Sequence, residues 1–407
     1  MGYTKDAVKG ISWIGTLRFS TRAIAFIRTI ILARILIPSQ FGAYGVAILI
    51  VSMLEVLTET GVNVVLVQEK DDIEEYISSA WIISIVRGCI IGGIILVSAH
   101  FISSFFHSKE SYPLLILISL VPILKGFINP SVVRFQRDLT FHKEFWYRLV
   151  IFSVDAVVAI VVALITKSAI SFVFGLLAGV ITEIILSFVM IRPRPYFSYQ
   201  LEFLKRIINR GKWVTVSGIF HYLFQNFDNI VVGRMLGTGQ LGLYQMAYTI
   251  SIIPITEITD VFSRVTFPVY AKIEHDRSRL KRAFLKTIVI ISILTIPFGV
   301  VLFFFSHQLV YIILGNKWSP ITVVLPMLAI SAVIRAIFGF SATLFLAVNK
   351  QEYVSIITFA SILGLAFSIV PLVYSYGIRG AGMSSLIGVG LSFPLILYFL
   401  VKVLKKH

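Results

Sequence analysis

The sequence predicts an all-α integral membrane protein with twelve transmembrane helices arranged in two pseudo-symmetric lobes of six. Three observations carry this prediction. The 407 residues are 57% hydrophobic and only 14% charged, and apolar runs long enough to cross a bilayer recur along the chain. Lys and Arg are concentrated in alternate loops. An internal repeat relates the first half of the chain to the second.

A hydropathy window of about 19 residues locates the individual helices. They are predicted near residues 11–37, 41–67, 76–104, 112–133, 145–166, 169–191, 212–236, 241–270, 286–314, 319–348, 352–375 and 378–402. The first is expected to be an uncleaved helix, because no short apolar region with a small-residue cleavage site follows the N-terminal lysines. The helices divide the chain into an N-lobe of residues 1–191, a cytoplasmic amphipathic linker of residues 192–211 and a C-lobe of residues 212–407.

The distribution of Lys and Arg predicts the orientation of the chain. Of 36 such residues, nine lie within the apolar interior of predicted helices, and 23 lie at the termini, in even-to-odd connections and at the helix ends next to them. Odd-to-even connections carry Lys109, Lys167, Lys317 and Arg379. Since cytoplasmic loops are enriched in Lys and Arg, both termini are predicted to be cytoplasmic, in a plasma (inner) membrane. The same bias explains most of the net charge of +16 without a nucleic acid partner.

The internal repeat relates residues 30–50 to residues 230–250. Each copy joins the first and second predicted helix of a lobe, and six helices separate the copies. Because the number of helices between the copies is even, both lobes are predicted to cross the membrane in the same sense, as parallel repeats do. The identical pairs are Ile30 and Ile230, Arg34 and Arg234, Leu36 and Leu236, Gln40 and Gln240, Gly42 and Gly242, Tyr44 and Tyr244, Ala47 and Ala247, and Ile50 and Ile250.

Basic side chains inside apolar helices predict an aqueous interior. One charge at the bilayer centre costs about 2.5 to 3.5 kcal/mol, so nine facing lipid would be prohibitive. Guanidinium forks bind the oxygens of a diphosphate in pairs, which favours an anionic ligand. Pairing with intramembrane acids is the alternative, and Arg34 and Arg234 are better explained by snorkelling to the interface. The six deep residues predicted to line a cationic cavity are Arg18, Arg22, Arg28, Arg87, Lys125 and Arg335.

Acidic side chains inside the helices have two interpretations. His221 and Asp228 lie on one polar stripe of the seventh helix, and Glu257 and Asp260 share a face with Arg264 in the eighth. His221, Asp228, Glu257 and Asp260 are therefore candidates for binding a coupling proton or sodium ion, and a salt-bridged lobe interface explains them equally well. The other intramembrane acids are Glu55, Glu59, Asp155 and Glu183, of which the last two are expected to neutralise nearby arginines.

Catalytic motifs are absent from the sequence. The seven histidines are scattered, with no HExxH pair, and no GxxxxGK[ST] phosphate loop occurs. No polar stretch is long enough for a soluble catalytic domain. The sequence therefore predicts a transporter without catalytic residues, metal or cofactor.

Four segments resemble a known family: ARILIPSQFGAYGVA, its repeat copy GRMLGTGQLGLYQMA in the second half, RFQRDLTFHKEF and LEFLKRIINRGKW. They look like the polysaccharide biosynthesis branch of the multidrug/oligosaccharidyl-lipid/polysaccharide (MOP) superfamily. The chain is similar to O-antigen and colanic-acid-type flippases of lipid-linked oligosaccharides. The resemblance implies a MATE-like fold, alternating access, and export of a polyprenyl-pyrophosphate-linked oligosaccharide to the outer leaflet. Membrane lipids, and a polymerase and glycosyltransferases of the same pathway, are the implied partners.

Three alternatives belong to other functional classes. Multidrug efflux would favour a net acidic interior, whereas nine basic residues here face seven acidic ones. A peptidoglycan-precursor flippase of the same superfamily usually has fourteen helices. A membrane glycosyltransferase or polymerase would need a sizeable outer loop with catalytic carboxylates, and the predicted outer loops are short.

Overall fold

The computed structural model describes residues 2–59, 74–198 and 201–405, and of residues 2–12, 14, 74–75, 201–217, 219–221 and 224 it describes the backbone alone. Within these ranges the chain is helical, with no strand. The chain divides into two compact units, residues 1–225 and 226–407. The end of the predicted helix 41–67, beyond residue 59, lies outside the described residues.

The first unit contains seven complete helical segments and the start of an eighth. The helix α1 packs along α6, α6 packs on α7, and α3 packs on α4. A bend of 71° separates α4 from α5. The seven are α1 (Gly2–Ile35), α2 (Pro38–Leu57), α3 (Glu74–Phe105), α4 (Ser111–Gly126), α5 (Pro130–Arg137), α6 (Phe141–Thr166) and α7 (Ile170–Met190).

A long helical run, α8 (Leu201–Lys272), is interrupted at Gly237, whose φ of 80° and ψ of 175° are accessible essentially only to glycine. This break lies between the predicted helices 212–236 and 241–270. The equivalent repeat position is Ile37, where the chain is extended and Pro38 starts α2. There the Ile37 amide donates to Oε1 of Gln40 at 3.1 Å. In one copy of the repeat a glycine with positive φ separates the two helices, and in the other an extended residue before a proline does so.

The second unit contains the rest of α8 and five further α-helices. The helices α12 and α13 pack closely along small residues, because a Cβ on Gly388 would lie 3.0 Å from the carbonyl oxygen of Ser361. The small residues of the segment AGMSSLIGVGLS therefore form a packing face. The helices are α9 (Arg277–Phe304), α10 (Ser306–Ile313), α11 (Leu325–Ala347), α12 (Gln351–Tyr376) and α13 (Ile378–Leu404), with a 3₁₀ helix, Asn316–Val323, before α11.

The helix α9 begins at a side-chain cap. Oδ1 of Asp276 accepts hydrogen bonds from the backbone amide of Arg279 at 3.0 Å and from the hydroxyl of Ser278 at 2.8 Å. These bonds, the amide first, hold the pKa of the Asp276 carboxyl below its usual value. The cap therefore favours the ionised carboxylate at the helix N-terminus.

Fewer helices than predicted meet the length and apolarity expected of a membrane span. Eight described helices do so, or nine if the bent pair α4 and α5 counts as one. Predicted helices 1, 7 and 8 are helical as α1 and α8, but intramembrane charges and amides reduce their apolarity. The twelve-helix count stays a prediction. The lobe boundaries also stay predictions. Residues 201–211 of the predicted linker belong to α8, and residues 212–225 of the predicted C-lobe group with the first unit.

Candidate functional site

A cavity of about 670 Å³ lies within the first unit. Its volume is in the range typical of small-ligand sites, about 300 to 1,000 Å³. The wall is formed by α2 to α7, by the turn between α4 and α5, and by Gly218 of α8. Its charged lining residues are Glu55, Glu59, Arg87, Lys125, Arg148 and Glu183.

Close contact between α3 and α4 positions two of the cations. A Cβ on Gly126 would lie 2.7 Å from the carbonyl oxygen of Ser84, and one on Gly88 would overlap the backbone of Pro122. The two helices therefore touch backbone to backbone. Arg87 and Lys125 each precede one of these glycines in the sequence, so the crossing brings both side chains to the cavity wall.

Arg87 and Lys125 converge on one residue of α2. The Lys125 ammonium lies 2.8 Å from Oε1 of Glu55, and a guanidinium nitrogen of Arg87 donates to the Glu55 carbonyl at 2.5 Å. Arg87 also donates to the hydroxyl of Thr58 at 3.1 Å and lies 3.4 Å from Oε2 of Glu59. The side chain of Lys125 is 43% exposed and that of Glu55 is 32% exposed. Partly exposed pairs of this kind contribute little to stability.

Asn129, in the turn between α4 and α5, lines the cavity and stabilises the turn by hydrogen bonds. It is fully buried, and its Nδ2 donates to the carbonyl of Pro193 at 3.1 Å. Its Oδ1 accepts from the amide of Ser131 at 2.9 Å, which starts the turn of α5. Asn129 was absent from the predicted site, although an Asn-Pro pair after an apolar run is a turn signal.

The α6 and α7 side of the cavity carries Arg148 and Glu183. Arg148 donates to Oε1 of Glu144 at 2.9 Å, one helical turn earlier. The hydroxyl of Tyr147 lies 3.4 Å from the Glu183 backbone carbonyl. Within the described part of the chain, the Glu183 carboxylate has no hydrogen bond or ion pair; Arg148 and Lys125 are the cations that act on it. Arg148 is not among the predicted cavity residues, because it lies only three residues into predicted helix 145–166, where a basic residue is typical of a helix end.

Arg28 occupies a different place from Arg87 and Lys125. It forms a close ion pair with Asp155, which joins α1 to α6, and the two side chains are 15% and 11% exposed. The carboxylate of Asp155 lies against α7, where a Cβ on Gly175 would be 2.6 Å from Oδ1. The interpretation that Asp155 neutralises a nearby arginine is confirmed. Arg28 is outside the described lining of the cavity, and its predicted role in cargo binding stays a prediction.

The remaining cations of α1 are also outside the described lining. Arg18 is half-buried and Arg22 is exposed. Arg34 and Arg234 are both exposed at equivalent positions of the repeat, as snorkelling to an interface requires. The roles of Arg18 and Arg22 in a cationic cavity stay predictions.

A buried polar cluster lies in the second unit, around Asp228. The hydroxyl of Tyr244 donates to Oδ2 of Asp228 at 2.8 Å, and Oδ1 accepts from the amide and the Nδ2 of Asn229 at 2.8 and 3.1 Å. Arg335 of α11 lies close enough to Tyr248 and Asp228 for its charge to act on both. The structure thus brings Arg335 together with Asp228.

The four candidates for ion coupling do not share one environment. Asp228 is 6% exposed, Glu257 is half-buried and Asp260 is exposed. The side chain of His221 lies outside the described residues. Asp260 and Arg264, both described, form no ion pair. No group of three or more His, Cys, Asp or Glu side chains in the described residues is arranged to hold a metal ion. The coupling role of these four residues stays a prediction.

Comparison with known proteins places the chain in a family. The family described as polysaccharide biosynthesis protein matches residues 31–323. The lipopolysaccharide biosynthesis protein WzxC of Escherichia coli (strain K12) is 23% identical over 97% of this chain and 79% of its own length.

Two solved structures share the fold. The lipid II flippase MurJ, in an inward closed conformation, has a TM-score of 0.74 and 18% identity, over 96% of this chain and 88% of MurJ. An inward-facing multidrug resistance MATE family transporter of the MOP superfamily has a TM-score of 0.71 and 16% identity, over 94% of each chain. The matches to helical transporters agree with the apolar helices described above. Since the family match covers well over half of the chain, this protein is a member of the polysaccharide biosynthesis protein family.

Proposed function

We propose that this protein is a flippase that moves a polyprenyl-pyrophosphate-linked oligosaccharide from the cytoplasmic to the outer leaflet for cell-surface polysaccharide biosynthesis. The observation that carries the proposal is the combination of family and fold. The family belongs to polysaccharide biosynthesis, and the fold is shared with a lipid II flippase. A membrane transporter in such a pathway has a lipid-linked saccharide as its natural cargo.

The chemistry of the first-unit cavity supports an anionic cargo. Lys125 pairs with the Glu55 carboxylate and Arg87 donates to the Glu55 backbone carbonyl, so both cations lie beside the same residue and one anion bound there would meet both. A diphosphate has several oxygens for a guanidinium fork and an ammonium group. Each charge-assisted hydrogen bond contributes about 1.5 to 3 kcal/mol. The cavity therefore supplies a binding site for the charged head while the polyprenyl chain stays in lipid.

The finer architecture belongs to the same proposal. Twelve helices form two lobes of six, both termini are cytoplasmic, and the protein lies in the plasma (inner) membrane. The lobes alternate between cytoplasmic and outward access and carry the head across without covalent chemistry. The polymerase and glycosyltransferases of the pathway make and consume the cargo. The deep cations Arg18, Arg22, Arg28 and Arg335 extend the cationic path.

A flipping assay tests the proposal. The full chain is reconstituted in vesicles with a short-chain polyprenyl-diphosphate saccharide that carries a dithionite-sensitive fluorophore. Without transport, dithionite quenches only the outer half of the label; with transport, it quenches nearly all of it. Combined Arg87→Ala and Lys125→Ala substitutions are expected to slow flipping by at least about a hundredfold, because each lost contact corresponds to roughly tenfold.

The matched control is Lys350→Ala, which removes an exposed cation of the second unit that pairs with Glu352 at 3.5 Å. Flipping by this variant is expected to equal that of the wild type. Wild-type vesicles that behave like protein-free vesicles would refute the flippase. Equal rates for wild type and the double variant would refute the role of the two cations.

Efflux of organic cations is the second candidate function. It is favoured by one observation, namely that the lining of the cavity has as many carboxylates as cations: Glu55, Glu59 and Glu183 against Arg87, Lys125 and Arg148. Ethidium efflux from cells that express the chain separates the two candidates. Efflux above that of empty-vector cells, with no flipping of the labelled lipid, would favour the second.

A further inference from the structure

We infer that Glu183 is a proton-accepting residue of the first-unit cavity, so that this site takes up a proton when it binds a diphosphate anion. The inference rests on the proposed function, since it assigns a proton to the same cargo site. It moves the coupling position away from the predicted candidates His221, Asp228, Glu257 and Asp260 and into the first unit. Three observations carry it: the charge balance of the described cavity residues, the surroundings of Glu183, and the lack of a hydrogen-bond or ion-pair partner for its carboxylate among the residues whose side chains are described.

The charged groups at the cavity leave one carboxylate over. Lys125 pairs with Glu55, Arg87 lies beside Glu59, and Arg148 pairs with Glu144 on its own helix. When Glu144, which pairs with Arg148 but is outside the described lining, is counted with the lining residues, Glu183 is the fourth carboxylate for three cations among these described residues. An ionised carboxylate in a partly desolvated site repels an incoming anion. The cavity is therefore a weaker site for a diphosphate when Glu183 is ionised than when Glu183 is protonated.

The position of Glu183 suits proton exchange. It is half-buried on α7 and lines the cavity, so that water in the cavity reaches it. Its carboxylate makes no hydrogen bond or ion pair within the described residues, in contrast to those of Glu55 and Glu144. No hydrogen bond or ion pair among the described side chains therefore has to be broken for Glu183 to gain or lose a proton. Arg148 and Lys125 act on it electrostatically, and the Tyr147 hydroxyl lies beside its backbone carbonyl. The other charged groups on the helices that line the cavity are Arg87 on α3, Glu55 and Glu59 on α2, and Glu144, which pairs with Arg148 on α6.

A proton fits this position better than a metal cation. The cations that act on Glu183 are Arg148 and Lys125, and a bound metal ion would add a third positive charge beside them. A proton neutralises the carboxylate without occupying space that the anion needs. Once Glu183 is neutral, Arg148 and Lys125 attract the diphosphate and no unpaired carboxylate among the described cavity residues repels it. Anion and proton therefore bind together.

The sign of the pH dependence follows. The ionised form of Glu183 disfavours the anion, and the protonated form does not. Affinity for a diphosphate is therefore highest at low pH. On the alkaline side of the Glu183 pKa it falls by about tenfold per pH unit for one coupled proton.

The test uses farnesyl diphosphate as the probe and the full chain in lipid nanodiscs. Affinity and proton uptake are measured by calorimetry between pH 6 and pH 9, each in two buffers with different ionisation enthalpies. The probe also titrates, but its own contribution is common to all variants of the protein. Wild type is expected to take up one proton more than Glu183→Gln. The variant is expected to keep its low-pH affinity at pH 9, so that it binds at least tenfold more tightly than wild type there.

Two further variants complete the set. Glu352→Gln, in an exposed pair outside the cavity, is expected to reproduce the wild-type pH profile. Glu183→Asp, which keeps the titratable group, is expected to restore the coupled proton that Glu183→Gln loses. A structural role for Glu183 would change the affinity at all pH values and would not separate the two variants.

The outcomes distinguish this inference from the proposed function. If farnesyl diphosphate binds wild type, and Glu183→Gln takes up as many protons as wild type on binding, the inference is overturned and the flippase proposal stands. Failure of wild type to bind the probe at any pH overturns both. Should Glu183→Gln fail to fold, wild type alone decides: an affinity that tracks only the titration of the free probe overturns the inference. Binding of the probe that requires sodium and is accompanied by no proton uptake also overturns the inference.

Discussion

Removal of one partner of the Arg28–Asp155 pair is expected to destabilise the first unit strongly. The side chains are 15% and 11% exposed, and 127 residues separate them, so the pair ties α1 to α6. Asp155→Ala leaves the guanidinium of Arg28 buried without a counter-charge. Breaking a buried pair from one side costs about 3 to 5 kcal/mol. The burial here places Asp155→Ala within that range.

Unfolding by titration with sodium dodecyl sulfate measures this cost in a double-mutant cycle. Arg28→Met combined with Asp155→Ala is expected to lose less than the sum of the single changes, with a coupling energy of about 2 kcal/mol. The control is Glu352→Ala, whose pair with Lys350 is about half exposed and is expected to contribute less than about 1 kcal/mol. A cost for Asp155→Ala no larger than that of Glu352→Ala, or strictly additive effects, would refute the buried pair.

Three other predictions concern single positions. Gly126→Ala places a Cβ against the backbone of α3 and is expected to cost about 1 to 3 kcal/mol, whereas Gly93→Ala, with no atom within 4 Å, is expected to be nearly neutral in the same unfolding assay. Tyr244→Phe removes a hydrogen bond to buried Asp228 and is expected to cost about 1.5 to 3 kcal/mol; an unchanged midpoint would contradict that bond. The cap from Asp276 is expected to protect the first turn of α9 fully above the unfolded pKa of about 4 and to fail as pH falls through the lower folded pKa. Hydrogen exchange of α9 between pH 3 and pH 7 checks this, and protection without pH dependence would contradict it.

The helical fold was predictable from the sequence because apolar length is a local property. Hydropathy located the helices that became α2 to α7 and α9 to α13. The repeat located the break at Gly237, since a turn had to separate the two helices there as it does before Pro38. Arginines in α1 and polar groups around Asp228 in α8 make these two helices less apolar than a typical span. Their place in the membrane therefore depends on packing, which a local window does not register.

The candidate site was predictable in part. Arg87 and Lys125 were expected in a cavity, and both line one. Arg28 has the same sequence signature but pairs with Asp155, because the partner is decided by how α1 lies along α6. Glu183 was expected to neutralise an arginine, and Arg148 instead pairs with Glu144 on its own helix. Which charges find partners depends on tertiary neighbours, and spacing along one helix determines only the nearest pairs.

Photo-crosslinking tests most directly whether the charged head of the cargo enters the first-unit cavity. A photoreactive residue replaces Gln136, which lines the cavity, or Val97, which is 89% exposed on α3, and membranes receive a radiolabelled polyprenyl-diphosphate saccharide. A label on the saccharide-diphosphate head is expected to attach at position 136, and the added Arg87→Ala and Lys125→Ala changes are expected to abolish it. Attachment at position 97 alone, or equal attachment at position 136 without the two cations, would contradict the account.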